Sequence, residues 1–183
     1  MSIWIFGKSK ISSRDVSKAE WPSLLLELTQ SLRYVRENWI EGCMKILPER
    51  PSGLKPDNFD CIVRNFQLWA VSSVFERKKY IPLPKGREFL GYLFAQVGAT
   101  LLVQAYNDAC RQPERWFPEP FASFVEDIIQ LSPKYKDAEI MMALALFVPR
   151  LVEATDLAVA ICFKDEQQIE QSKRKLNQLA KER

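Results

Sequence analysis

Arg150, Glu153 and Asp156 stand three residues apart in an otherwise apolar stretch, DAEIMMALALFVPRLVEATDLAVAICF, running from Asp137 to Phe163. On a helix this spacing places all three in one narrow sector. Two carboxylates one turn apart are half of a hard-cation site, and Glu37-x-x-x-Glu41 repeats the pattern earlier in the chain. Four helix-borne carboxylates can hold Mg²⁺, which prefers oxygen ligands. Glu37, Glu41, Glu153 and Asp156 therefore define one alternative, a Mg-dependent helical-bundle hydrolase. Two plainer readings compete with it, because E-x-x-D pairs are common on helix surfaces. Exposed, the three residues are a solvated face with Arg150 paired to Glu153. Buried together, they are a polar cluster and a site, and they then need partners such as Arg33, Arg36 or Arg64, since an unpaired buried charge costs on the order of several kcal/mol.

The second constellation is cationic. Arg77, Lys78, Lys79, Lys85 and Arg87 crowd around Tyr80-Ile-Pro-Leu-Pro84, between Glu76 and Glu88. The bland reading is a basic helix end, favoured by the helix dipole, followed by a solvated loop. The functional reading is contact with a partner through phosphate on nucleic acid or anionic lipid, with Tyr80 stacking on a base.

Much chemistry is excluded. The chain contains no histidine, which removes imidazole acid–base catalysis, histidine-dependent nucleophiles and imidazole-bound zinc. Cys43, Cys61, Cys110 and Cys162 are widely spaced, have no C-x-x-C, and sit among apolar neighbours. They read as buried reduced thiols. Neither glycine-rich phosphate loop occurs, nor does G-x-S-x-G. No cofactor is implied.

These residues need helices to hold them. Pro22 begins a helix with an apolar stripe at Leu24, Leu28, Leu32, Val35, Trp39 and Cys43, and Arg33 and Glu37 pair on its outer face. Ser17 and Glu20 have capping-box spacing, in conflict with Pro22. Pro48, Pro51, Gly53 and Pro56 end that helix. Asp57 or Asn58 caps the next, whose inner face is Phe59, Ile62, Val63, Phe66, Trp69, Ala70 and Val74. Phe89–Tyr106 carries no charge and predicts a central helix, with Gly91, Ala95 and Ala99 allowing close approach of another backbone. QPERWFPEP, from Gln112 to Pro120, is a rigid linker leading to a short helix. Asp137 caps the long apolar segment, in which Pro149 predicts a kink joining two shorter pieces.

No alternating strand pattern appears. The expected fold is all-α, a single-domain bundle of five or six helices with a Pro-kinked penultimate helix. Residues 1–16 form an N-terminal arm, 17–163 the helical bundle domain, and 164–183 a polar C-terminal helix or tail. Length, 47% hydrophobic content and a net charge of +3 fit an ordinary globular protein. A transmembrane hairpin of Phe89–Tyr106 and Ala138–Phe163 would place Arg150, Glu153 and Asp156 near mid-bilayer at about 2.5–3.5 kcal/mol each. The N-terminus lacks the layout of an export signal. These observations predict a cytoplasmic protein that acts by macromolecular binding (an adaptor or regulatory role) without catalysis, a protein partner foremost and homo-oligomerisation open. Mg-dependent hydrolysis and membrane association are the alternatives.

Overall fold

Capping residues and prolines set the helix starts. The structure, a computed structural model, describes residues 16–45, 56–82, 84–98, 124, 126–127 and 137–181, with the backbone alone at 56–58, 140, 141 and 143–145. Among them are five α-helices and no strand: α1 (Trp21–Met44), α2 (Pro56–Lys78), α3 (Lys85–Gln96), α4 (Ala138–Cys162) and α5 (Glu166–Lys181). The fold is the expected all-α bundle. The arm through residue 15, the Gln112–Pro120 linker and Cys110 lie outside the described residues, and so do the side chains of Asp57 and Asn58.

The conflict between Ser17-x-x-Glu20 and Pro22 resolves into two successive starts. The Ser17 N–H donates to Glu20 Oε2 at 3.0 Å and closes a single 3₁₀ turn, Lys18–Glu20. The α-helix then opens at Trp21, with Pro22 in its first turn, where a missing N–H costs nothing. Asp137 caps α4 as expected, its Oδ1 accepting from the Glu139 N–H at 2.8 Å.

Cross-helix contacts give the directions. Gln67 Nε2 on α2 donates to the Leu32 carbonyl of α1 at 2.9 Å, and Arg36 Nε pairs with Asp60 Oδ1 at 2.6 Å, so α1 and α2 run antiparallel. The Trp39 indole donates to the Phe147 carbonyl at 2.7 Å, while Cys162 lies beside Ser31, so α1 and α4 are antiparallel too. Helix α4 packs against α1, α2 and α5, while α3 closes the bundle over α1 and α2.

The core has two apolar clusters. One joins Trp21, Leu28 and Leu32 of α1 to Val71 and Phe75 of α2, Phe89 and Leu93 of α3, and Val159 of α4. The other gathers Trp39 and Cys43, Phe59, Val63 and Phe66, and Val148 and Leu151, together with Phe124. Trp21 packs edge-on to Phe89, with centroids 5.6 Å apart. Phe75 stacks on Phe89 at 5.7 Å. Gly86 is a steric requirement: a Cβ there would stand 2.7 Å from the Ile81 carbonyl oxygen.

Three expectations are corrected. The helix expected to reach Tyr106 ends at Gln96, because Gly98 adopts φ +71° and the Val97 and Gly98 N–H groups turn back to Leu93 and Ala95. Among the described residues no helix backbone packs on Gly91, where an added Cβ would meet nothing within 4 Å, and Ala95 is exposed. Pro149 does not divide the long helix, which is continuous from Ala138 to Cys162 with Pro149 exposed. The proline removes one N–H within a 25-residue helix whose remaining bonds and packing keep it whole.

Candidate functional site

The polar residues of α4 are positioned by the turn into α5. Phe163 ends α4, Lys164 takes a left-handed φ of +55°, and the Asp165 N–H returns to the Ala160 carbonyl at 2.9 Å while the Lys164 N–H reaches Ile161 at 3.1 Å. This is a Schellman closure with lysine at the position glycine usually takes. Asp165 then caps α5, its Oδ1 accepting from the Gln168 N–H at 3.0 Å. Its other oxygen accepts from the Tyr80 hydroxyl at 2.9 Å. One residue thus ties the α4–α5 turn to the loop after α2.

That turn folds α5 back along the α4 face bearing Glu153 and Asp156, and both become buried, at 7% and 5% exposure. Their partners come from the helices that bury them. Lys175 Nζ on α5 pairs with Glu153 Oε2 at 3.2 Å, and Arg77 Nη2 at the end of α2 donates to Asp156 Oδ2 at 3.1 Å. Arg33, Arg36 and Arg64 are engaged elsewhere, with Glu37, with Asp60 and Gln67, and with the Val97 carbonyl and Cys61. Glu153 Oε1 and Asp156 Oδ1 receive no hydrogen bond from the described residues. Burial raises the Asp156 carboxyl above its usual range; Arg77 opposes this and the nearby Glu153 charge adds to it. Burial and the Asp165 hydrogen bond push the Tyr80 phenol well above its ordinary value.

Arg150 parts company with the two acids. It does not pair with Glu153; Nη2 donates to the Leu179 carbonyl of α5 at 2.5 Å, and the guanidinium lies 4.9 Å from the Phe147 ring centroid. It borders a cleft of about 650 Å³ between α1 and α4. Tyr34, Val35 and Trp39 line one wall of this cleft, and Phe147, Ala154 and Ala158 the other. Tyr34 and Ile161 are exposed at its rim. Sequence reading missed this cleft. Its only signal was Ala154 and Ala158 four apart on α4, small residues where the apolar stripe elsewhere is large.

A second surface lies beyond the end of α5. The Arg150–Leu179 bond shows α5 running out opposite the middle of α4. In the preceding half of α4, Met142 and Leu146, one turn apart, are 68% and 56% exposed, and Pro149 continues the line.

The other candidates are placed apart. Glu37 and Glu41 are exposed and paired with Arg33 and Lys45, while Glu153 and Asp156 are inside. The four are not brought together, and among the described residues no group of three or more His, Cys, Asp or Glu is arranged to hold a metal ion. In the basic segment, Arg77 is taken by Asp156 and Arg87 pairs with Glu76 at 3.3 Å. Lys78 is half-buried, while Lys79 and Lys85 are exposed. Tyr80, expected to present its ring for stacking, is buried and stacks on Phe163 with centroids 4.8 Å apart. Burial pushes the Cys43 thiol up to about 12 and Cys162 up to about 11, so neither supplies a thiolate. No helix among the described residues is long and apolar enough to cross a membrane. Comparison with protein-family models, curated proteins and solved structures finds no match to this chain.

Proposed function

We propose that the protein acts by binding another protein, without catalysis. The observation that carries this reading is the Met142–Leu146–Pro149 ridge. It continues the seam that α5 covers further along α4, and its two large apolar side chains, Met142 and Leu146, are exposed. Large apolar side chains repeated at helical spacing on an exposed face are the usual anchors for a partner's apolar surface. The described cysteines, Cys43, Cys61 and Cys162, are unbridged, which supports a reducing compartment such as the cytoplasm as the place of action. An anionic surface bound through the basic segment is less favoured, because Arg77 and Arg87 are held in internal ion pairs.

The test compares the protein with a Met142→Glu/Leu146→Glu variant in affinity capture from the native cell, with mass spectrometry as readout. Leu26→Glu, at an exposed position on α1, is the control. Partners retained by the wild type and the control but lost from the ridge variant are the expected outcome. Light scattering separates a second copy of this chain from a foreign partner. Identical profiles for all three proteins, or none above background, overturn the reading.

A further inference from the structure

The cleft between α1 and α4 has an electrostatic character that the ridge lacks. Its volume falls within the roughly 300–1,000 Å³ of small-molecule sites. Along α1 its lining runs from Gln30 to Gly42, about 18 Å at 1.5 Å rise per residue, so the space is elongated. At one end the two walls approach closely where Gly42 meets Phe147: a Cβ on Gly42 would already stand 3.3 Å from Phe147 Cε1. Width comes from Ala154 and Ala158, which leave room that larger side chains would fill. Among the described residues no Asp, Glu or Lys lines the cleft, and the other polar groups there, such as Gln30 and Asn38, are neutral.

Among the described residues Arg150 is the one charged side chain in this lining. Among the described residues no carboxylate pairs with it, and the two acids on its own helix are held by Lys175 and Arg77. Its guanidinium is nevertheless fixed in place, by the Leu179 carbonyl on one side and the Phe147 ring on the other. A planar cation held by neutral contacts at the edge of an apolar cleft, with no carboxylate of the described residues on it, can take an anion. In such partly desolvated surroundings a carboxylate gains more from it than in water. A free inorganic anion would use the charge and none of the apolar wall. A neutral chain would use the wall and not the charge.

We infer that the cleft binds a single-chain amphiphile with an anionic head, an alkyl carboxylate in chemical class, its head on Arg150 and its chain along Val35, Trp39, Ala154 and Ala158. This site is separate from the Met142–Leu146–Pro149 ridge, and its occupancy does not depend on a protein partner.

Titration calorimetry tests the assignment with dodecanoate, dodecanol, dodecyltrimethylammonium and inorganic phosphate, each below its aggregation concentration. A dodecanoate brominated on a carbon near its carboxylate reports proximity to Trp39, which shares Phe147 with Arg150, by fluorescence quenching. Dodecanoate is expected to bind at least about tenfold tighter than dodecanol, with phosphate and the cationic amphiphile weaker still. Arg150→Met removes the preference for the carboxylate while leaving dodecanol binding unchanged, and Arg150→Lys retains it. Ala154→Leu, which fills the cleft, weakens both chains together, and the quenching disappears. Far-UV circular dichroism establishes that each variant is folded, and should Arg150→Met fail to fold, the Arg150→Lys and Ala154→Leu comparisons carry the test. Equal affinity for dodecanoate and dodecanol, a preference that survives in folded Arg150→Met, or undiminished binding in Ala154→Leu overturns the assignment. So does the absence of any amphiphile binding.

Discussion

Asp156 shows how little of a residue's state follows from its neighbours in sequence. With Glu153 and Arg150 three and six residues away, it looked like one member of a charged face. The structure instead separates the three. Arg150 turns to the α1–α4 cleft, Glu153 to Lys175 of α5, and Asp156 to Arg77 of α2. The spacing of the trio was legible because helical geometry fixes it. The partners were not, because α2 and α5 reach Asp156 and Glu153 only through the tertiary fold. Burial raises the Asp156 carboxyl despite the Arg77 ion pair, whose arginine is 56% exposed and therefore screened. An acid with a raised folded-state value binds its proton more tightly folded than unfolded. Its contribution to stability is full below the unfolded carboxyl value, near 3.9, and is lost as pH rises through the raised one. Asp156→Asn keeps an acceptor for Arg77 and cannot ionise. Its stability relative to wild type should therefore climb as pH rises from about 4 to 7, by roughly 1.4 kcal/mol for each unit by which the carboxyl is raised. Urea midpoints for both proteins across that range check this; parallel profiles would show that Asp156 ionises as it does in the unfolded chain.

Among the elements, those with strong local signals were readable. The start of α1, the Asp137 cap, the Arg33–Glu37 pair and the basic end of α2 all follow from propensity and dipole arguments within a few residues. The end of α3 was missed although its signal was present. Gly98 lies inside the uncharged run from Phe89 to Tyr106 with no proline beside it, and only its positive φ shows it to be a terminator. The α4–α5 turn could not have been read in the same way, because its left-handed position is occupied by Lys164. A lysine there adopts a conformation that crowds its Cβ against the following carbonyl, at about 1–2 kcal/mol. Glycine relieves this crowding but adds freedom to the unfolded chain, which offsets part of the gain. Lys164→Gly should therefore stabilise the protein by about 0.5–1 kcal/mol. Its side chain is exposed, so no lost packing opposes the effect. Chemical denaturation measures it, and an unchanged or lower midpoint would mean that Lys164 makes a compensating contact.

For the whole molecule, the two apolar clusters raise the question of whether this is one cooperative unit or two. The clusters share no buried residue, but α1, α2 and α4 each contribute to both. In α1, Leu32 belongs to one cluster and Trp39 to the other. In α4, Leu151 and Val159 are divided in the same way. A helix cannot melt at one end and keep its other end packed for more than a few turns without freeing carbonyls and exposing apolar surface. Loss of either cluster should therefore remove the other. Leu93 and Leu151 are both fully buried, one in each cluster. Truncation of either leaves a cavity worth about 2–5 kcal/mol, a large share of the roughly 5–15 kcal/mol that holds a domain folded. Trp21 reports on the first cluster and Trp39 on the second, so variants that keep only Trp21 or only Trp39, the other four of the five tryptophans changed to Phe, isolate each signal. In both Leu93→Ala and Leu151→Ala, the two tryptophan signals and far-UV circular dichroism should move to the same lower midpoint and stay coincident. A Trp39 transition that stayed in place while Leu93→Ala lowered that of Trp21 would show two independent units. The α4 helix would then have to break, and Pro149, already lacking its N–H, is where it would do so.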